Sequence, residues 1–234
     1  MKIAITVNER TSFDNHNATR VIATTIGVFF GLLSGVNHGI FEILQGNTPT
    51  NGLVISAIGE AQRFWIEGNE PAFTIIPNFM ITGILSIIVG LAIVIWSVWF
   101  LPTKHGRRVY LGLFILSFLV GGGIGQAFFF LPAWAFATRM DKPLTWWRKV
   151  LPRRSWPFLS RLWPVTLVLA TVFISITLEI GIFGLFPGLT NPQTIQETSM
   201  IFMFVSVILY MVSFIAGFGH ELRRMEMKQG GFVL

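Results

Sequence analysis

VYLGLFILSFLVGGGIGQAFFFLPAWAFA, residues Val109–Ala137, decides the fold. The block is apolar from end to end, yet basic residues flank both sides. Lys104, Arg107 and Arg108 precede it; Arg139, Lys142, Arg148, Lys149, Arg153, Arg154 and Arg161 follow. Loops rich in Lys and Arg stay in the cytoplasm, so both ends belong on one side. Its length is also wrong for a single crossing. About 29 residues at ~1.5 Å each reach ~43 Å, well past a ~30 Å hydrocarbon core. Its centre holds Gly121, Gly122, Gly123 and Gly125, and each glycine costs a helix ~1 kcal/mol. A re-entrant hairpin resolves all three oddities: two half-helices of about 12 residues enter from the cytoplasm and turn at the glycines. The alternative is one long tilted helix whose glycines serve close packing, giving five crossings.

Four other apolar blocks surround this one: Val21–Leu44, Ala72–Leu101, Trp163–Phe186 and Thr198–Gly219. Each is long enough to cross a bilayer. The whole chain of 234 residues is 53% hydrophobic and 12% charged, with mean hydropathy +0.66. An ordinary soluble domain carries about 25% charged residues. The expected fold is therefore an all-α polytopic membrane bundle of four transmembrane helices plus the Gly-broken re-entrant hairpin. The charges give it an orientation. The N-terminal tail (1–20), the 102–108 turn, the basic segment (138–162) and the C-terminal tail (220–234) face the cytoplasm. The loops at 46–71 and 188–197, which are acidic on balance, face out. The organisation that follows is a single membrane domain. A first helix hairpin (21–101) and a second (163–219) flank the 109–137 block. The polar first 20 residues lack a basic n-region, so Val21 onward reads as a retained span and not a removed signal peptide.

Composition excludes some chemistry. The chain has no cysteine, which removes disulfides, thiol catalysis and Cys-ligated metal. A net charge of +6 suits anionic lipid against the cytoplasmic face better than nucleic acid. There is no HExxH, GxSxG or Walker loop, and the GGGIG run follows no strand. No catalytic residue, metal site or cofactor is expected.

A short repeat links the two hairpins. Gly39-Ile40-Phe41 followed by Gly46 matches Gly181-Ile182-Phe183 followed by Gly188 at an offset of 142, and Thr48 matches Thr190. Asn37 then aligns with Glu179. Such a pattern implies two hairpins of the same orientation, as in parallel-repeat transporters. The outer loop, GNTPTNGLVISAIGEAQRFWIEGNEP, is expected to carry a short surface helix over Leu53–Ile66. The 143–164 segment mixes Trp, Arg and Pro and is expected to lie on the cytoplasmic membrane surface.

Ionisable and polar groups inside spans are costly, so each is a candidate site residue. His38 and Glu42 lie at i and i+4, with Gln45 at i+7, so His38 and Glu42 are expected to pair. Thr74, Asn78 and Thr82 form a second stripe beside Pro77, and Glu179 is the one charge in the fourth span. With Gln126 at the Gly121–Gly125 tip, these residues are expected to line an outward-facing polar cavity.

The strings His38–Gly46 (HGIFEILQG), Glu70–Asn78 (EPAFTIIPN) and Gly121–Gly125 (GGGIG) together resemble an uncharacterised family of prokaryotic multi-pass membrane proteins. The resemblance covers the first 140 residues well and the rest loosely. It implies a multi-pass protein of the prokaryotic inner membrane and carries no activity or residue role. That family often has prolines after the glycine run, where this chain has Gln126-Ala127. The leading expectation is a small transporter or channel-like protein lined by His38, Glu42, Asn78, Thr82, Glu179 and Gln126. The alternative is a structural or accessory subunit that binds lipid, a partner membrane protein or a second copy. A third is an intramembrane lipid-acting enzyme with His38 and Glu42 as acid and base.

Overall fold

The computed structural model describes residues 17–230. The tail charges Lys2, Glu9, Arg10 and Asp14, and residues 231–234, lie outside them. Helix α1 (Ala18–Phe30) starts at Asn17, whose side chain accepts the Arg20 N–H at 3.0 Å. A wide π-type turn, Gly31–Asn37, carries it into α2 (His38–Leu44), and together they make one span of 27 residues. Helix α3 (Phe79–Ile95) returns, capped by Asn78 on the Ile81 N–H at 3.1 Å and prolonged by a second π-type turn, Trp96–Phe100. The second hairpin is α7 (Trp156–Phe183) and α8 (Pro192–Gly230). Four stretches are long and apolar enough to cross a membrane: Ala18–Leu44, Phe79–Phe100, Arg153–Phe183 and Pro192–Lys228. The protein is an all-α helical bundle, and these helices mark it as an integral membrane protein.

The span edges differ from the sequence expectation in a physical way. Residues 72–78 are strand and turn because Asn78 is the helix cap and Pro77 just before it ends the extended run. Part of the basic segment, from Trp156, is already helical, started by a proline in the first turn of α7.

The 109–137 block breaks at its glycines. Helix α4 (Gly106–Leu119) leads to a short strand β3 (Val120–Gly123), a 3₁₀ turn (Ile124–Gln126) and α5 (Ala127–Ala137). Both ends of the block meet at one end of the molecule. Arg107, at the start of α4, lies 3.6 Å from Asp141, just past α5. Nearby, the Ala18 N–H donates to Glu221 at 2.7 Å, joining the start of α1 to the end of α8. The block is thus a broken hairpin and not one continuous helix. Aromatic rings pack it into the core: Phe114 stacks on Phe130 at 4.6 Å, Phe30 on Phe129 at 4.8 Å, and Phe136 meets Phe218 at 4.5 Å.

At the opposite end the 46–71 loop is not a surface helix over Leu53–Ile66. It contains strand β1 (Val54–Ser56), a 3₁₀ turn (Glu60–Gln62) and strand β2 (Pro71–Thr74). Strand β2 pairs antiparallel with β1 on one edge and with β3 on the other. The loop therefore forms a cap whose backbone bonds directly to the glycine tip. An isolated helix there would have left the polar backbone of the tip without partners.

The first hairpin is held by glycines. Gly35 lies against Gly90, where an added Cβ would come 2.5 Å from the Gly90 Cα. Gly39 and Gly83 meet in the same way, with a Cβ on Gly83 only 2.6 Å from the Gly39 carbonyl. Small residues at a four-residue spacing let helix backbones touch in a bilayer, where no hydrophobic effect drives them together. Ser86 adds a hydrogen bond to the Gly35 carbonyl at 3.0 Å.

Candidate functional site

The site is built where the first span, the glycine tip and the cap converge. Each of the three tip glycines lies against a different polar group. A Cβ on Gly121 would strike both carboxylate oxygens of Glu42. One on Gly122 would strike the Gln126 amide and the Ser117 hydroxyl, and one on Gly123 would lie 2.6 Å from His38 Cε1 and 2.9 Å from Ser34 Oγ. Gly121 also has φ +105°, where a side chain is strained. The tip is glycine because polar side chains occupy the room that a Cβ would need. The Gly123 N–H donates to Ser34 Oγ at 3.1 Å, anchoring the tip to the wide turn before His38. Such turns expose backbone and recur at functional sites.

His38 does not pair with Glu42 as the i, i+4 spacing suggested. Its Nε2 makes an ion pair with Glu70, the last residue of the cap before β2. Burial alone would raise the Glu70 carboxyl. The His38 charge and its hydrogen bond outweigh that, so the carboxyl sits below its ordinary value. Glu42 is left wholly buried, and neither carboxylate oxygen has a hydrogen-bond partner. An ionised carboxylate so placed needs a proton or a cation to offset its charge. His38 Nδ1, Ser117 Oγ and both amide atoms of Gln126 are likewise buried and unpartnered. Six of the ten such atoms among the described residues therefore fall in this one cluster. Native proteins rarely leave buried polar groups unpaired without a reason.

A cavity of about 290 Å³ adjoins the cluster. One wall sets Ser34, Asn37, His38, Glu70 and Gln126 among the apolar Phe30, Leu33 and Phe129; the other is α7 and α8, with Ile174, Leu178 and Met203. The cap closes over its outer side and fastens to the second hairpin. Trp65 Nε1 donates to the Gly181 carbonyl at 2.9 Å, and Phe64 packs on Phe183 at 4.8 Å.

The other expected residues divide. Thr82 is fully buried and shares a 2.7 Å hydrogen bond with Thr74, which holds β2 to the start of α3. Asn78 is a helix cap and donates to Asn47 at 2.7 Å, so it braces the cap and does not reach the cavity. Glu179 is exposed on the outer face of α7, and its neighbours Leu178 and Gly181 line the cavity in its place. The six residues expected on one cavity are thus not brought together: His38 and Gln126 line it, Glu42 lies behind the tip, and Asn78, Thr82 and Glu179 stand apart. Gly125 lines the cavity with open space where a Cβ would be. Sequence reasoning missed Glu70, which it counted as a loop charge, and Ser34 and Ser117. A usable signal for Glu70 existed: it is the acid closest in sequence to a strand-forming run that ends in a Pro-Asn cap.

No three His, Cys, Asp or Glu side chains converge among the described residues in a way that could hold a metal. No family model matches the chain, and neither does any curated protein or solved structure.

Proposed function

We propose that this protein is a small transporter of the prokaryotic inner membrane, with the Gly121–Gly123 tip as a re-entrant element and Glu42 as its proton or cation site. The basic turn, the 138–162 segment and the end of α8 then face the cytoplasm, with both termini. The observation that carries the reading is the three-glycine tip packed on Glu42, Gln126 and His38 beside a cavity. Broken backbone at membrane depth is tolerated where it lines a cavity, and half-helix ends commonly coordinate substrate or coupling ion. A carboxylate with no donor is poised to exchange a proton or cation. The resemblance to a prokaryotic multi-pass family belongs to this proposal and adds no substrate to it.

The test is proton and sodium flux in proteoliposomes, wild type against Glu42→Gln, His38→Ala and Glu179→Gln. The reading expects a loss of at least about tenfold for the first two and wild-type flux for Glu179→Gln. Equal flux in all four proteins would sink it.

A second reading is an accessory subunit that binds a partner or a second copy. It is favoured by Glu179, which sits on an exposed face with Val168, Val172 and Phe183. A partner that co-purifies in fixed ratio, and is lost with Glu179→Gln, would support it.

A further inference from the structure

The end of the molecule remote from the glycine tip holds a second cavity, of about 240 Å³. It lies between the exit of α5, the turn that follows, and the last turns of α8. Its charged lining is Arg139, Asp141, Lys142, Glu221, Arg224 and Lys228. Four cations against two carboxylates leave a net charge of +2. Both carboxylates are already engaged. Asp141 meets Arg107 at 3.6 Å. Glu221 accepts the Ala18 N–H at 2.7 Å and lies 3.6 Å from Arg224. What the cavity offers to a ligand is therefore the positive charge of Arg139, Lys142 and Lys228. Local backbone presents the first two together: the Lys142 N–H donates to the Arg139 carbonyl at 3.1 Å, and Asp141 between them takes φ +60°.

The position of the cavity indicates the ligand. It opens at the ends of α1 and α8, where apolar spans give way to charge. Beside it α6 (Thr145–Val150) carries Trp146, which is 61% exposed, and Trp147, which stacks on Phe218 of α8 at 4.4 Å. Exposed tryptophan beside Lys and Arg marks headgroup level, and cationic pockets between helix ends on that side bind lipid phosphate. We propose that this cavity binds a phosphate oxyanion whose charge no cation of its own headgroup offsets, held between Arg139 and Lys142 on one wall and Lys228 on the other. Bound there, the anion bridges the hairpin that carries the tip to the second hairpin.

The experiment uses the full chain purified in neutral detergent. Native mass spectrometry reads retention of added phosphatidylglycerol against phosphatidylcholine, and a parallel arm measures inorganic phosphate binding. The expected result is one retained phosphatidylglycerol, favoured about a hundredfold, as about 1 kcal/mol per basic residue would give for three of them. The variant Arg139→Gln/Lys142→Gln/Lys228→Gln loses that preference. The variant Arg148→Gln/Lys149→Gln/Arg154→Gln, of equal charge change, keeps it. Lys228→Gln alone, at an exposed helix end, is the fallback should the triple variant fail to fold, and is expected to weaken retention severalfold. Saturable phosphate binding lost in the first variant would support the same oxyanion site and assign its source as soluble. Retention that ignores the first variant and its fallback, or falls equally in both triple variants, would overturn the site.

Discussion

The two hairpins of this protein are built on opposite principles. In the first, α1 and α2 form the most enclosed of the four spans: an apolar window of 18 residues within it is 67% buried, against 33% for those of α3 and α7 and 39% for that of α8. Glycines bring its helices into backbone contact, and its polar groups point inward at the tip. In the second, α7 and α8 are long and regular. Several of their hydroxyls satisfy themselves on carbonyls one turn back, as Thr171 does on Leu167 at 2.9 Å and Ser175 on Thr171 at 2.8 Å, and Ser206 bonds across to the Ala170 carbonyl at 2.9 Å. Its one carboxylate within the apolar run, Glu179, faces out. The repeat at offset 142 makes the contrast sharp. Gly46 and Gly188 both take positive φ, +78° and +80°, so the turn chemistry of the two copies agrees. The polar position does not: Asn37 lines the cavity while Glu179 is exposed. Matching turns thus do not carry matching chemistry, and the site belongs to the first hairpin and the tip.

The comparison can be broken most directly at the glycines. Gly121→Val combines strain at φ +105° with a clash on Glu42, and is expected to cost about 4 kcal/mol or to prevent folding. Gly181→Ala, where nothing lies within 4 Å, is expected to change stability by under ~0.5 kcal/mol. Thermal melting in detergent compares them, and equal loss would erase the asymmetry. Next, Gly90→Ala forces apart two backbones and is expected to cost about 2–3 kcal/mol, whereas Gly112→Ala meets open space and should be neutral.

The cap gives a pH test. The Glu70 carboxyl sits below its ordinary value, so its stabilising effect is present above the ordinary carboxylate range. It is lost as pH falls through the depressed value. Glu70→Gln is expected to cost about 2 kcal/mol at neutral pH and to flatten the acid arm of the stability curve. Glu197→Gln, in the exposed start of α8, should leave that arm unchanged. An unaltered acid arm in Glu70→Gln would show that the ion pair with His38 does not hold the cap. The smallest effect belongs to the second hairpin. Thr171→Val removes a 3.2 Å contact with Tyr210 and is expected to cost about 0.6 kcal/mol, the average for polar contacts between membrane helices.

Much of the fold was legible in the sequence because its signals are local. Apolar runs of bilayer length, basic flanks and clustered glycines each state a physical cost or constraint within a short window. The broken 109–137 block was readable for that reason. What was not legible depends on residues far apart. Val54–Ser56 alternates too briefly to declare a strand, and β2 needs β3, supplied by the tip, to complete a sheet. His38 has an i+4 neighbour that fits, but the folded cap brings Glu70 nearer in a geometry no helical wheel contains. Glu179 failed differently. Its depth was readable, but the rotation of α7 was not, since one residue of helix turns a side chain by ~100°. The ladder of Gly27, Gly31, Gly35 and Gly39 stands in the sequence at a constant spacing of four, and it marks the face of the first span that meets α3 and the turn after it.

The shared sheet has a consequence for how the chain is made. Strand β2 ends at Thr74, but its partner β3 begins at Val120, so some tens of residues of synthesis separate them. At ~5–20 residues per second, the cap waits several seconds with one edge unpaired. In the re-entrant arrangement it waits on the far side of the membrane and is completed only when the glycine tip arrives from the near side. In that proposed arrangement the sheet joins two segments delivered from opposite faces of the bilayer, before α7 and α8 follow. A chain stalled between residues 74 and 120 would expose an open strand edge to every other copy around it.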